Sequence, residues 1–286
     1  VTDFDPRLTP FRGDIAADYL TGKVDAARFV AGKRCTVIHG AADIRRLPVP
    51  DAPLDTEALY GEIFIVYEES EEGWSWGQLA RDGYVGYMPS SALVLETLEP
   101  THRAAVLRTF LYGGPSIKLP PIASLSLGSR INVKAVKNGF AVTDTGHFVF
   151  ANHLVEIGVF ENDFVTVAER FLGLPYYWGG KTSLGIDCSG LVQVCLDAIG
   201  VNSLRDTDMQ AKSIGFPVPI DEVTGNLMRG DLIFWNGHVG IMQNSNKILH
   251  ASGHQMLVVS EPLIAVRDRI LAKGGGSITS IRRLIR

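Results

Sequence analysis

The sequence predicts an α+β chain: a C-terminal domain in which helices precede strands, behind two small all-β modules and a short helical arm. Three observations carry this reading. From Cys35 to about Val155 the texture is one of short strands punctuated by Gly, Pro and Asp. That region is internally repetitive. After Phe160 amphipathic helices come first and strands follow, without the alternation of a doubly wound sheet. A length of 286 residues has room for two or three domains and for a core that needs no disulfide or metal staple.

The arm comes first. Ile15, Ala16, Tyr19, Leu20, Val24, Ala27 and Phe29 recur at roughly helical spacing, and Gly22 interrupts them, which predicts one or two short helices within 1–32. Next, CTVIH, EIFIVYEE, WSWGQLA and GYVGYMP are strand-length and joined by the hairpin signals SEEG and RDG. The segment ALYGEIFIVYEESEEGWSWGQLARDGYVGYMPSSALV aligns with SLSLGSRINVKAVKNGFAVTDTGHFVFANHLV, with matching elements about 60 to 67 residues apart. Gly-aromatic pairs in both suit tight hairpins over a small core. Each copy resembles the bacterial SH3-like (SH3b) domain, the second less closely because its aromatics thin out. The boundaries are read as 33–98 and 99–158, leaving 159–286 for the last domain.

In that domain NDFVTVAERFLG predicts an amphipathic helix with Gly173 as its stop, and CSGLVQVCLDAIG a second helix ending at Gly200. DLIFW, HVGIMQ, KILHAS and SITSIRRLI read as strands, and Gly274–Ser277 as a hairpin loop. The candidate chemistry gathers here. Cys188 stands in the first turn of its helix, where unpaired N–H groups and the dipole favour a thiolate. His238 opens HVGIM 50 positions later, and His250 lies 12 positions beyond that in KILHAS. Adjacent strands would set the imidazoles side by side, one taking the thiol proton and the other orienting it. Gly240, on the face of His238, leaves room beside the ring.

The remaining cysteines carry a plainer reading. Three cysteines are too few and too unevenly spaced for a disulfide framework, so Cys35 and Cys195 are assigned to packing. Zinc at Cys188, His238 and His250 is disfavoured because no short paired spacing exists, and no cofactor or metal is expected. Trp235 is read as core. The 27 basic and 31 acidic residues give a net charge of −4, which excludes a general affinity for nucleic acid. Glu68, Glu69, Glu71 and Glu72 form a solvated hairpin tip on this reading. No apolar run approaches a membrane span, and the early acids of VTDFDPRLTPFRGD do not form a signal sequence, so a cytoplasmic location is expected, or a periplasmic or secreted one if a leader has been removed; the chain is expected to be a monomer.

PYYWGGKTSLGIDCSGLVQ, GDLIFW, HVGIM and ILHAS together resemble the NlpC/P60 family of cysteine peptidases, a compact papain-like fold, over about 160–286. DPRLTP and the tandem SH3b modules extend the likeness to the family's bacterial dipeptidyl-peptidase branch. The resemblance implies hydrolysis of the amide between γ-D-glutamate and a diamino acid, diaminopimelate or lysine, in peptidoglycan stem peptides. It implies Cys188 as nucleophile, His238 as general base and His250 as its orienting partner. Tyr176 would help stabilise the oxyanion, and Asp187 and Ser189 would contact the peptide, with helix capping as the plainer role for both. By the same resemblance, Glu62 and Tyr87, with Tyr84 as a competitor, would read a free L-alanine amine. The alternatives are a wall-binding SH3b protein and an acyl transferase working through the same thioester.

Overall fold

The computed structural model describes residues 4–95, 99–220 and 226–284. It divides into two compact units, 1–159 and 160–286. No helix among the described residues is long and apolar enough to cross a membrane.

The first unit is built almost entirely of strands. Its larger sheet has seven, in the order Leu54–Leu59, Ala41–Arg45, Val85–Pro89, Trp74–Leu79, Ile63–Glu69, Lys33–Val37 and Leu93–Leu95. Alternation puts Ala42 and Ile44, Phe64 and Val66, and Met88 on one face, where they bury against Cys35, Val37, Leu79 and Tyr84. The second module forms a five-stranded and a three-stranded sheet around a smaller core of Ala104, Leu111, Leu125, Ile131, Ala141, Val149 and Leu154. Its thinner aromatic content collects at one side, where Tyr112, Phe140, Phe150 and His153 meet edge to face.

The arm departs from expectation. Residues 14–30 contain one 3₁₀ turn, Asp18–Leu20, and two short strands, Ala16–Ala17 and Phe29–Val30, that pair in parallel. The apolar spacing reflects packing instead of helix: Ile15, Ala16, Ala17 and Leu20 are buried against Tyr67 and Trp76. The acidic tip is also only partly solvated, because Glu68 folds back to pair with Arg12 and Arg28.

The second unit opens with helix α1 (Phe164–Glu169), capped by Asp163, whose carboxylate accepts from the Val165 N–H at 3.0 Å. This helix is shorter than predicted, and Gly173 takes φ +82° after a further turn. Helix α2 (Cys188–Ala198) is buried at every position but Asp197, as befits a helix enclosed on all sides. After α3 (Thr207–Ser213) comes a six-stranded sheet. Its order is Phe216–Val218, Ser280–Arg283, Leu232–Trp235, His238–Met242, Lys247–Ser252 and Leu257–Pro262. Helix α2 packs on the strands of His238 and His250. A fourth helix, α4 (Leu263–Ala272), follows the last of these strands directly and is not expected from the sequence reading. The Gly274–Ser277 segment therefore links α4 to the Ser280–Arg283 strand inside the sheet; it is not a hairpin loop.

Candidate active site

Cys188 is the first residue of α2, and its N-cap Asp187 holds the helix start by accepting from the Gly190 N–H at 2.7 Å. The thiol is buried and accepts from the backbone N–H groups of Val239 and Ser189. It thus lies beside the start of the strand that His238 opens. That strand, His238–Met242, pairs antiparallel with Lys247–Ser252 through Ile241 opposite Leu249 and Met242 opposite Ile248. One step along this register brings Gly240 to His250. A Cβ at Gly240 would lie 2.5 Å from Ile248 Cδ1 and 3.2 Å from the His250 Cβ, so the two strands approach this closely only because the residue is glycine.

The imidazoles meet as the spacing predicts. His238 Nε2 and His250 Nδ1 are 2.8 Å apart, with ring centroids 5.0 Å apart at 71°. The indole of Trp235 backs His238 at 5.7 Å, and its buried Nε1 has no hydrogen-bond partner among the described residues. The chain of contacts continues beyond the residues the sequence singled out. Glu261 Oε2 lies 3.1 Å from His250 Nε2, and Arg269 grips the same carboxylate at 2.6 and 2.9 Å. In the register of the two outer strands His250 faces Val259, so Glu261, two residues on, shares its face. A lone acid alternating with apolar residues in LVVSEP was the available signal.

Burial sets the resting protonation. It pushes the Cys188 thiol up to about 12, with the neighbouring Asp187 charge acting in the same direction; the Val239 N–H, Arg205 and the Ser189 N–H oppose them. Burial also draws His238 down to about 3, helped by His250 and Arg269. Both shifts favour the uncharged thiol and the uncharged imidazole. Desolvation and the charge of the capping aspartate thus act against the pull of the helix terminus toward a thiolate. Burial lowers His250 as well, against the pull of Glu261, while hydrogen bonding to Arg269 holds Glu261 at about 2.

Around the thiol, the tyrosine and the flanking residues separate into different roles. Tyr176 bridges to Ile186 in the loop before Cys188, and its hydroxyl is pushed up by burial and by the nearby Cys188 and Asp187 charges. Asp187 and Ser189 face inward. The Asp187 carboxylate accepts from the Gly179 N–H at 2.9 Å and from the buried Arg205 at 2.7 and 3.0 Å. Ser189 Oγ accepts from Arg205 at 2.7 Å and lies 3.3 Å from Asp187. Their side chains brace the catalytic turn, the capping role expected for them beside peptide contact. Arg205, 1% exposed, was not visible in the sequence as a partner, since it lies 18 residues from Asp187.

In the first unit, Glu62 is 2% exposed; one carboxylate oxygen accepts from the Leu59 N–H at 2.8 Å and the other from Arg81 at 3.1 Å. A carboxylate enclosed and neutralised in this way does not present itself to a substrate amine, so the reading of Glu62 as an amine ligand is corrected to a structural ion pair. Tyr84 is core. The Tyr87 hydroxyl accepts from Arg12 at 2.6 Å, and that guanidinium also stacks over Trp76 at 4.5 Å. Cys35 and Cys195 are buried, in line with packing roles. Among the described residues no group of three or more His, Cys, Asp or Glu is arranged to hold a metal ion.

Known proteins share this organisation. The NlpC/P60 family profile matches residues 173–265, and the profile of the bacterial dipeptidyl-peptidase Sh3 domain matches residues 44–93. The γ-D-glutamyl-L-lysine dipeptidyl-peptidase of Bacillus subtilis is 31% identical over 227 residues, covering 70% of this chain and 73% of that protein. Dipeptidyl-peptidase 6 of Lysinibacillus sphaericus is 28% identical over 240 residues, covering 76% and 86%. An NlpC/P60 family protein from Bacillus cereus superposes with a TM-score of 0.73 at 20% identity, covering 88% of this chain and all of that one. The chain belongs to the NlpC/P60 family. More particularly, it is an NlpC/P60-type cysteine peptidase with a bacterial dipeptidyl-peptidase SH3 domain ahead of the peptidase domain.

Proposed function

We propose that the protein hydrolyses the γ-D-glutamyl–diamino acid amide of peptidoglycan stem peptides such as L-Ala-γ-D-Glu-diaminopimelate or its lysine counterpart. The observation that carries the chemistry is the 2.8 Å contact between His238 and His250, on strands packed against the helix that begins at Cys188. His238 takes the thiol proton as sulfur attacks the γ-glutamyl carbonyl carbon. The Tyr176 hydroxyl and the Cys188 N–H stabilise the oxyanion of the tetrahedral intermediate. Collapse breaks the C–N bond, and His238 returns the proton to the departing amine. Water then attacks the thioester, giving up its proton to His238, and L-Ala-γ-D-Glu leaves as the thiol is restored.

The names of the two relatives support a dipeptide product and a γ-D-glutamyl substrate. A peptidase that releases dipeptides reads a free N-terminus, so the natural substrates on this reading are stem peptides already cut from sugar, as in murein peptide turnover in the cytoplasm. Digestion of L-Ala-γ-D-Glu-diaminopimelate beside its N-acetylated form is the test. Cleavage of the free peptide alone is expected; equal cleavage of both would remove the amine requirement, and cleavage of neither would remove the substrate assignment.

A further inference from the structure

We infer that Glu261, clamped by Arg269, fixes the proton positions of both imidazoles, so that His238 turns an unprotonated Nδ1 toward Cys188. The inference rests on Cys188 and His238 acting as nucleophile and base, and adds a residue that sets their hydrogen-bond directions. A carboxylate only accepts hydrogen bonds. With Glu261 Oε2 3.1 Å from His250 Nε2, that nitrogen carries the His250 proton. A neutral imidazole has one N–H, so His250 Nδ1 is an acceptor. It lies 2.8 Å from His238 Nε2, which must therefore hold the His238 proton. The lone pair of His238 is left on Nδ1, the nitrogen available to take the thiol proton.

Three groups of changeable or fixed charge face His250: His238 from its neighbouring strand, Glu261 from the strand on its other side, and Arg269 from α4. Their arrangement suits a base that is neutral at rest and charged in the transition state. When His238 becomes an imidazolium, its Nε2–H still donates to His250 and His250 still donates to Glu261. No proton has to shift along the chain, and the new positive charge has a carboxylate two hydrogen bonds away. Arg269, bound to both oxygens of Glu261, offsets enough negative charge that the carboxylate does not draw the proton off His250. Glu261 is thus a positioning residue, acting through His250.

The test is ¹⁵N NMR of the histidine-labelled full chain at neutral pH, with steady-state kinetics on L-Ala-γ-D-Glu-diaminopimelate. In the wild type both His238 and His250 should show the Nε2–H tautomer, and a proton on His238 Nδ1 would overturn the inference without any variant. Glu261→Gln keeps the shape but offers either an amide N–H or a carbonyl, so the tautomers should become mixed. Its kcat should fall about 10- to 100-fold with KM changed less than about twofold. Unchanged tautomers or an unchanged kcat in this variant would overturn the role of Glu261. Cys188→Ala, measured alongside, tests the parent reading separately: residual turnover there would remove the nucleophile assignment whatever Glu261 does.

Discussion

At the scale of single residues, Gly240 and Arg205 determine whether the catalytic side chains meet at all. The Cβ of an alanine at Gly240 would fall 2.5 Å from Ile248 Cδ1 and press on the His250 backbone side. Gly240→Ala should destabilise by about 1–3 kcal/mol and lower kcat by displacing His250, measured by urea unfolding and by turnover. Arg205→Met leaves the Asp187 carboxylate buried without its cation, a loss of about 3–5 kcal/mol by chemical denaturation. Removing this cation should also slow Cys188 alkylation at neutral pH, because Arg205 partly offsets the effect of burial on the thiol. Cys188, His238 and His250 were legible from sequence because each sits at a recognisable place on a helix or strand. Arg205 and Arg269 were not, since their importance lies in contacts that no local pattern encodes, and Glu261 offered only the weak signal of a lone acid in LVVSEP.

At the scale of elements, the three strands carrying His238, His250 and Glu261 form one side of the site and α2 the other, and their burial ties function to pH. Both histidines are held neutral in the fold by desolvation, with His238 drawn down to about 3 from 6.5. The unfolded chain therefore binds more protons below about pH 6.5, so stability is full above that pH and is lost as pH falls toward the folded values. His238 contributes a slope of up to about 1.4 kcal/mol per pH unit in this window, and His250 acts in the same direction. Urea unfolding should show lower stability at pH 5 than at pH 7.5, and a shallower difference in His238→Gln. The acid limb of kcat/KM should correspondingly lie well below pH 6.5, because the base stays unprotonated in more acidic solution. The strands themselves were readable from alternation, whereas α4 was hidden. LIAVRDRILA follows a strand without a capping residue, its N-cap being Pro262, so no start signal separates the two.

At the scale of the whole chain, the catalytic constellation and its own core, with Ile233, Trp235, Met242, Ile248, Val266 and Ile281 at the centre, lie within residues 160–286. A fragment of those residues should unfold in one cooperative thermal transition by circular dichroism, and a broad non-cooperative melt would show that it needs the first unit to fold. The α+β character and the repeated β modules were legible because strand texture and hairpin signals are local. The arm was misread because Ile15, Ala16, Ala17 and Leu20 pack against Tyr67 and Trp76, and the same apolar spacing serves an extended segment lying on a sheet. The pairing of Glu62 was hidden for a related reason: its partner Arg81 lies 19 residues away, beyond any local pattern.

The central claim, that Cys188 attacks a γ-glutamyl carbonyl with His238 as base, is tested most directly by trapping the acyl-enzyme. The wild-type protein mixed with L-Ala-γ-D-Glu-diaminopimelate, quenched in acid within its first turnovers and digested, should yield a Cys188-containing peptide heavier by L-Ala-D-Glu less water. His238→Ala should show no such adduct at the same times, and Cys188→Ala should neither form it nor release diaminopimelate. Release of diaminopimelate by Cys188→Ala, or an adduct on any other residue, would contradict the account.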